Sequence, residues 1–187
     1  MSNQVLETIQ KRRSHRRYLP RQLSQEQLDA LLAAALQSPS GMNSQPWHFS
    51  VVQDASLLGR INAAAHKQAA LLSPEQRSPR FTDPAFDIFY HAPTAILISA
   101  ADTPYAAVDC GIAVQSMALA AESLGLGSVI VALVRHAFEG PNGPDFEREL
   151  GFPAKYRFVI SIAIGFPDDD KPAHPINGDK VTLIRGQ

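Results

Sequence analysis

The sequence predicts an α+β fold in which one mixed central sheet is flanked by helices. Segments with helical periodicity and segments with strand character alternate unevenly, without clean βαβ repeats. No G-x-G-x-x-G follows a strand and no P-loop is present, so neither common nucleotide-binding α/β pattern applies. The chain has 187 residues, 45% of them apolar. That length and composition suit one core-bearing unit, and without repeats or linkers residues 1–187 are read as a single domain.

The elements follow in order. Residues 3–12 form a short helix with Val5, Leu6 and Ile9 on one stripe. A second helix begins at Ser24, where Ser24 and Gln27 can make a capping box. Leu28, Leu31, Leu32, Ala35 and Leu36 continue its apolar face, and Ser38-Pro39-Ser40-Gly41 ends it. A polar loop, Asn43 to Trp47, leads into a strand from His48 to Val52. Asp54 or Ser56 can cap a third helix reaching Ala65. Residues 73–84 hold three prolines and read mainly as loop. A buried strand runs from Thr94 to Ser99. The fourth helix is expected from Pro104 to Leu124, with Thr103 as N-cap, Pro104 at the first helical position and Gly125 as the stop. It is apolar on nearly all sides, as a helix in a core or at a subunit interface would be. Strands are expected at Ser128 to Val134 and Phe158 to Ile164, with a short helix from Asp145 to Leu150 between them. Val181 to Ile184 could add a last short strand.

Charge and composition exclude several functions. Seventeen basic residues face eighteen acidic ones, so a general nucleic-acid binder is not expected. The one cysteine, Cys110, can form no internal disulfide and reads as a small core residue. Charged and polar residues interrupt the longest apolar segment, 106–126, so no membrane span is expected. The N-terminus lacks a signal-like apolar stretch, and the plain reading is a cytoplasmic protein. The histidines at 15, 48, 66, 91, 136 and 174 show no metal-ligand spacing. Ser14, Ser38 and Ser40 lack a G-x-S-x-G setting. Asp168-Asp169-Asp170 reads as a solvated turn.

Two segments carry candidate chemistry. Arg12-Arg13-Ser14-His15-Arg16-Arg17 places four arginines and a hydroxyl within six residues. Guanidinium forks and a serine hydroxyl suit phosphate oxygens, although the run alone reads more readily as a solvated basic face at a helix C-terminus. In Ser38 to Trp47, Asn43 and Gln45 each carry an amide donor and acceptor. These could read a heterocycle edge, while Ser40 and Gly41 leave room for a flat ring. The alternative is a polar turn between helix and strand.

Together these segments resemble the nitroreductase family of FMN-dependent oxidoreductases, whose members carry R-R-S-x-R and then S-P-S-x-x-N-x-Q-P-W. Here these stand at Arg12 to Arg16 and Ser38 to Trp47. Ala113 to Gly127 resembles the family's long helix with its L-G-L-G exit, and Ile162 to Pro167 resembles its I-G-Y-P strand end. The resemblance implies a nitroreductase-like fold forming an intertwined homodimer, with FMN bound between the subunits. Arg12, Arg13, Ser14 and Arg16 would surround the phosphate and pyrimidine edge. Pro39, Ser40 and Gly41 of the partner would cover the ring or ribityl chain, with Asn43 bonding near the flavin and Gln45 supporting the loop. Where some members carry P-x-E-G, this chain has Ile130-Val131-Ala132-Leu133, so the backbone N–H groups of Val131 and Ala132 are expected to face the flavin. Where the family has K-P-R, this chain has Lys171-Pro172-Ala173-His174, making Lys171 and His174 the candidates for a last phosphate contact.

The implied activity is transfer of electrons from NADH or NADPH through FMN to a small oxidised acceptor, a nitroaromatic, quinone or similar compound, by a ping-pong mechanism. The chemistry would lie at the flavin N5, with no catalytic side chain and no metal. The alternatives are an FMN-dependent dehydrogenase or reductase acting on one metabolite, and a non-enzymatic flavin-binding protein.

Overall fold

The computed structural model describes residues 3–173 and 175–186. Its helices are α1 (Gln4–Lys11), α2 (Gln25–Leu36), α3 (Ala55–Ala69), α4 (Ala106–Ser123), α5 (Arg135–Glu139) and α6 (Gly143–Glu149). Its strands are β1 (Trp47–Val52), β2 (Thr94–Ala100), β3 (Gly127–Val131) and β4 (Arg157–Gly165). They form one sheet in the order β1-β2-β4-β3. Every pairing in it is antiparallel. The expected mixed character is therefore confined to one parallel bridge, Ser14 to Ser128. No βαβ crossover places two neighbouring strands in the same direction, which is what a parallel ladder needs.

The sheet has a core on each face. Ala95, Leu97 and Ala163 pack towards α3 and α5 with Ile61, Ala65, Phe89 and Val134. Ile96, Ile98, Ile162 and Ile164 pack towards α2 and α4 with Leu31, Cys110, Met117 and Ala118. Strand β2 is buried at all seven positions, because it lies between two strands and two helical layers. That explains its unbroken apolar reading.

Several boundaries depart from expectation. The capping box of Ser24 and Gln27 forms, and Asp54 caps α3. That helix continues four residues beyond Ala65, because Ala69 extends the buried Ile61–Ala65 face. Helix α4 starts at Ala106 without a side-chain cap. The Ala106 N–H donates to the Thr103 carbonyl at 3.2 Å, and Tyr105 sits at φ −109°, ψ 0°. Pro104 thus occupies the second position of a type I turn, not the first turn of the helix. Strand β3 stops at Val131, and Val134 is fully buried at the start of α5. The apolar run there continues across a change of element, which periodicity alone cannot detect. Helix α6 begins two residues early, at Gly143. Residues 73–84 are turns plus a 3-10 helix at Pro79–Thr82. Val181 to Ile184 is not a strand, and its apolar side chains are exposed. No helix among the described residues is long and apolar enough to cross a membrane.

Candidate functional site

The basic segment crosses the end of the sheet, and two glycines make room for it. Gly127 and Gly165 lie opposite one another across β3 and β4. A Cβ on Gly127 would stand 2.9 Å from the Pro167 Cβ and 3.0 Å from the His15 Cβ. A Cβ on Gly165 would stand 2.7 Å from the Pro93 Cδ and 2.9 Å from Tyr18 Cδ1. Any side chain at either position would push the crossing segment away. Over this gap the His15 N–H donates to the Ser128 carbonyl at 3.0 Å, and the Leu19 N–H to the Phe166 carbonyl at 2.9 Å. The Tyr18 hydroxyl donates to the His15 carbonyl at 2.8 Å. Burial, and secondarily the Asp169 charge, raise the Tyr18 pKa far above its ordinary value against the opposing effect of Arg16, so the hydroxyl keeps its proton.

Asp169 fastens the segment to the chain beyond β4. One carboxylate oxygen lies 2.6 Å from His15 Nδ1. The other accepts from the Arg16 N–H at 3.1 Å and lies 3.3 Å from Lys171 Nζ. Its side chain is 6% exposed, so Asp168-Asp169-Asp170 is not a solvated turn throughout. Burial raises its carboxyl pKa, but the hydrogen bonds from His15, the Arg16 N–H and Lys171 together outweigh burial and hold it below the ordinary value. Nearby, Arg17 Nη2 donates to the Asp168 carbonyl at 2.8 Å.

These contacts separate the candidate cations. Arg13 is committed to backbone: Nε donates to Pro172 O at 3.1 Å, and Nη1 to Gln10 O at 2.5 Å and Arg12 O at 2.8 Å. Lys171 is held by Asp169. Arg16 makes one long hydrogen bond, 3.5 Å to Ser14 O, and lies over the Tyr90 ring. Among the described residues, the Arg12 guanidinium and the Ser14 hydroxyl have no hydrogen-bond partner, and neither Arg12 nor Arg16 has an ion-pair partner. His174 lies outside the described residues.

The second segment is built on α4. Ser38 Oγ donates to Ser116 Oγ at 2.8 Å. The Gly41 N–H donates to Asp109 Oδ1 at 3.1 Å, and the Gln45 N–H to Ser40 Oγ at 2.9 Å. A Cβ on Gly41 would stand 3.1 Å from Tyr105 Cδ2. Met42, Asn43 and Gln45 adopt left-handed φ values of 52°, 53° and 44°, an unusual cost for three non-glycine residues in one loop. Gln45 Nε2 donates to Asn43 Oδ1 at 3.1 Å, so Gln45 braces the loop and leaves the Asn43 NH2 facing solvent. Pro39 is exposed. Asp109 is buried, and its second oxygen has no partner among the described residues. Beside it, burial first and the Asp109 charge second push the Cys110 thiol up to about 12. This cysteine is an inert core residue.

At the exit of β3, Val131 is buried and its carbonyl accepts from Ser161 Oγ at 2.8 Å. Ala132 is exposed, and its carbonyl accepts the Arg135 N–H at 3.1 Å. No described hydrogen bond joins the basic segment to the Ser38–Gln45 loop. Both nonetheless border apolar surface that this chain leaves uncovered. Val5, Leu6 and Ile9 of α1 are exposed, and so are Ala107, Val108, Gly111 and Ile112 of α4. Sequence reasoning missed Asp169, His15, Asp109 and the glycine pair. Asp169 lies in an acidic triplet that gives no local sign of what it meets. Nothing local marked Asp109.

The pattern of the nitroreductase family matches residues 9–166. The chain belongs to the nitroreductase family. This nitroreductase-family chain is 30% identical over 182 residues to an iodotyrosine deiodinase of Thermotoga neapolitana, covering 92% of this chain and 94% of that one. It is 36% identical over 167 residues to a putative NADH dehydrogenase/NAD(P)H nitroreductase of Methanothermobacter thermautotrophicus, covering 81% and 78%. Its fold resembles the crystal structure of a nitroreductase with bound FMN from Desulfitobacterium hafniense, with a TM-score of 0.92 and 35% identity over 99% of this chain and 100% of that one.

Proposed function

We propose that this nitroreductase-family chain binds FMN between the subunits of a homodimer and passes electrons from NADH or NADPH to a small oxidised acceptor. The observation that carries the reading is the set of unspent donors along the sheet end. Arg12, Ser14 and Arg16 are held in place by backbone pairing while their side chains lack strong partners. A dianionic phosphate needs several charge-assisted donors of this kind. The FMN-bound relative that shares this fold supports the cofactor's identity.

Within this reading each residue has a distinct task. Arg12 and Ser14 hold the phosphate. Arg16 sits by the pyrimidine end, where its positive charge favours electron acceptance. Arg13 clamps the 172 region by its backbone bonds and orients Arg12, in place of the direct contact its motif position suggests. Lys171 reaches the site's edge from Asp169. His174 keeps its proposed place as a second candidate for the phosphate. The partner's Pro39-Ser40-Gly41 turn covers the ring, with Asn43 donating its unspent NH2. Val131 and Ala132 offer backbone N–H groups, which need no glutamate side chain beside them. When bound, FMN supplies hydride acceptance and onward electron transfer, and no side chain of the chain acts as nucleophile or metal ligand. Alternate occupancy of one pocket by donor and acceptor gives ping-pong kinetics.

The deiodinase relative favours a second reading, in which the same site serves one specific metabolite instead of a range of acceptors. One experiment separates the cases. The purified protein should be yellow, and anaerobic mixing with NADH or NADPH should bleach it rapidly. A yellow protein that neither nicotinamide reduces would favour the metabolite-specific reading or simple flavin binding. A colourless protein that FMN does not reconstitute would sink every flavin reading. Arg12→Ala with Arg16→Ala should weaken FMN binding by about 3 kcal/mol, measured by flavin fluorescence titration. Unchanged affinity would move the phosphate elsewhere.

A further inference from the structure

Beside the basic segment, two guanidinium groups converge on one aromatic ring. Arg16 lies 5.7 Å from the centroid of Tyr90, and Arg80 lies 5.5 Å from it. Arg80 also lies 5.9 Å from the Phe86 ring. Both are exposed, and among the described residues neither has an ion-pair partner. The nearest acidic side chain in sequence to Tyr90, Asp87, is already engaged. Its Oδ1 accepts the Phe89 N–H at 2.8 Å and the His91 N–H at 3.2 Å. The turn that presents the ring is itself costly. Tyr90 and His91 adopt φ values of 57° and 56°, in a region where bulky residues are rare. Strain of this sort persists where the surroundings enforce it, and it clusters at ligand sites. Cation–π contact alone offers little at an exposed position, and two like charges around one ring repel each other. An anion bound beside this ring would offset the local positive charge and use the guanidinium forks.

We infer that Arg80 and Tyr90, together with Arg16, receive an anionic group of the molecule that exchanges electrons at this site. The inference rests on the FMN reading above, because Arg16 ties the cluster to the proposed pyrimidine end. The shared chemistry is a phosphate or carboxylate on a substrate whose reactive part stacks on the flavin. Its two sources are the extra ribose phosphate that distinguishes NADPH from NADH and the carboxylate of an acceptor. Arg80 comes from the 3-10 helix at Pro79–Thr82, an element the proposed cofactor site does not use. It would therefore set substrate charge preference without holding the cofactor.

The test compares wild type, Arg80→Gln and Tyr90→Leu as purified holoprotein. One arm measures kcat/KM for NADPH against NADH with menadione as a neutral acceptor. The other measures 4-nitrobenzoate against nitrobenzene with a fixed donor. Loss of a charge-assisted contact should lower the NADPH-to-NADH or the nitrobenzoate-to-nitrobenzene kcat/KM ratio about tenfold or more in Arg80→Gln, mainly through KM, with FMN content equal to wild type. A smaller fall in the same ratio is expected for Tyr90→Leu, which frees both guanidiniums from their shared ring. A fall confined to the NADPH arm assigns the phosphate, and one confined to the nitrobenzoate arm assigns the carboxylate. Ratios unchanged in both variants would overturn the inference. Loss of FMN from Arg80→Gln would also overturn it, by making Arg80 a cofactor ligand. A wild-type protein without flavin, or with flavin that neither nicotinamide reduces, fails at the earlier step and takes this inference with it.

Discussion

At Asp169 one carboxylate joins two distant stretches of chain. It receives His15 and the Arg16 N–H from the basic segment and Lys171 from its own side. This arrangement fixes the Arg16 backbone without using the Arg16 side chain, so that side chain stays available for an anion. Asp169→Asn keeps the shape and removes the charge. It should lower stability by about 2 kcal/mol, the scale of hydrogen bonds to a charged group in a buried setting. The folded-state pKa of Asp169 is depressed. Its contribution is therefore present above the unfolded value, about 3.9, and is lost as pH falls through the lower folded value. Urea unfolding at pH 7 should separate wild type from Asp169→Asn, and the two should converge as the pH drops below about 3.9. A gap that stays constant down to pH 2 would show that the ionised carboxylate does not hold the segment.

The basic segment as an element depends on the sheet beneath it. Segment 12–19 has little regular structure of its own, and the β3–β4 end supplies its hydrogen bonds. Gly127 and Gly165 permit the approach. Gly127→Val should leave helix and sheet content intact, cost about 1–3 kcal/mol by overpacking, and displace the basic segment enough to release FMN. The contrasting change is Gly59→Ala within α3, where a Cβ meets nothing within 4 Å. It should retain FMN and gain about 0.5–1 kcal/mol. If Gly127→Val kept FMN as tightly as wild type, the crossing would not position the cofactor site. Element-level reasoning from sequence succeeded where the physics is local. The Ser24–Gln27 capping box and the Asp54 cap are contained within a few residues. It failed where the deciding contact is remote. The end of β3 depends on Val134 entering the core beneath α3, and the start of α4 depends on a turn closed by Thr103 and Ala106. The candidate site divides the same way. The arginines and the Asn43–Gln45 loop were legible as motifs. Asp169, 153 residues from Arg16 along the chain, was not, because an acidic triplet carries no local sign of what it will meet.

Across the whole molecule, the two candidate segments lie on separate supports, one at the sheet end and one on α4. The proposed composite site takes its covering loop from a second copy, one loop to each basic segment. The uncovered face of α4 gives that copy a place to sit. Cys110, Ala113, Val114 and Met117 turn inwards to the sheet, while Val108 and Ile112 face out at 61% and 37% exposure. With Val5, Leu6 and Ile9 of α1 they make an apolar surface that water does not favour. Val108→Glu with Ile112→Lys would turn this face into a solvated i, i+4 charge pair while the inner face of α4 keeps its packing. Sedimentation at micromolar concentration should then report a monomer where the wild type reports a dimer. Circular dichroism should be retained, because none of the inward residues changes. Flavin should be lost with the dimer, since the covering turn at Ser40 and Gly41 would no longer reach the partner's arginines. A folded monomer that still binds FMN as tightly as wild type would place both segments around the cofactor within one chain and remove the reason for a composite site.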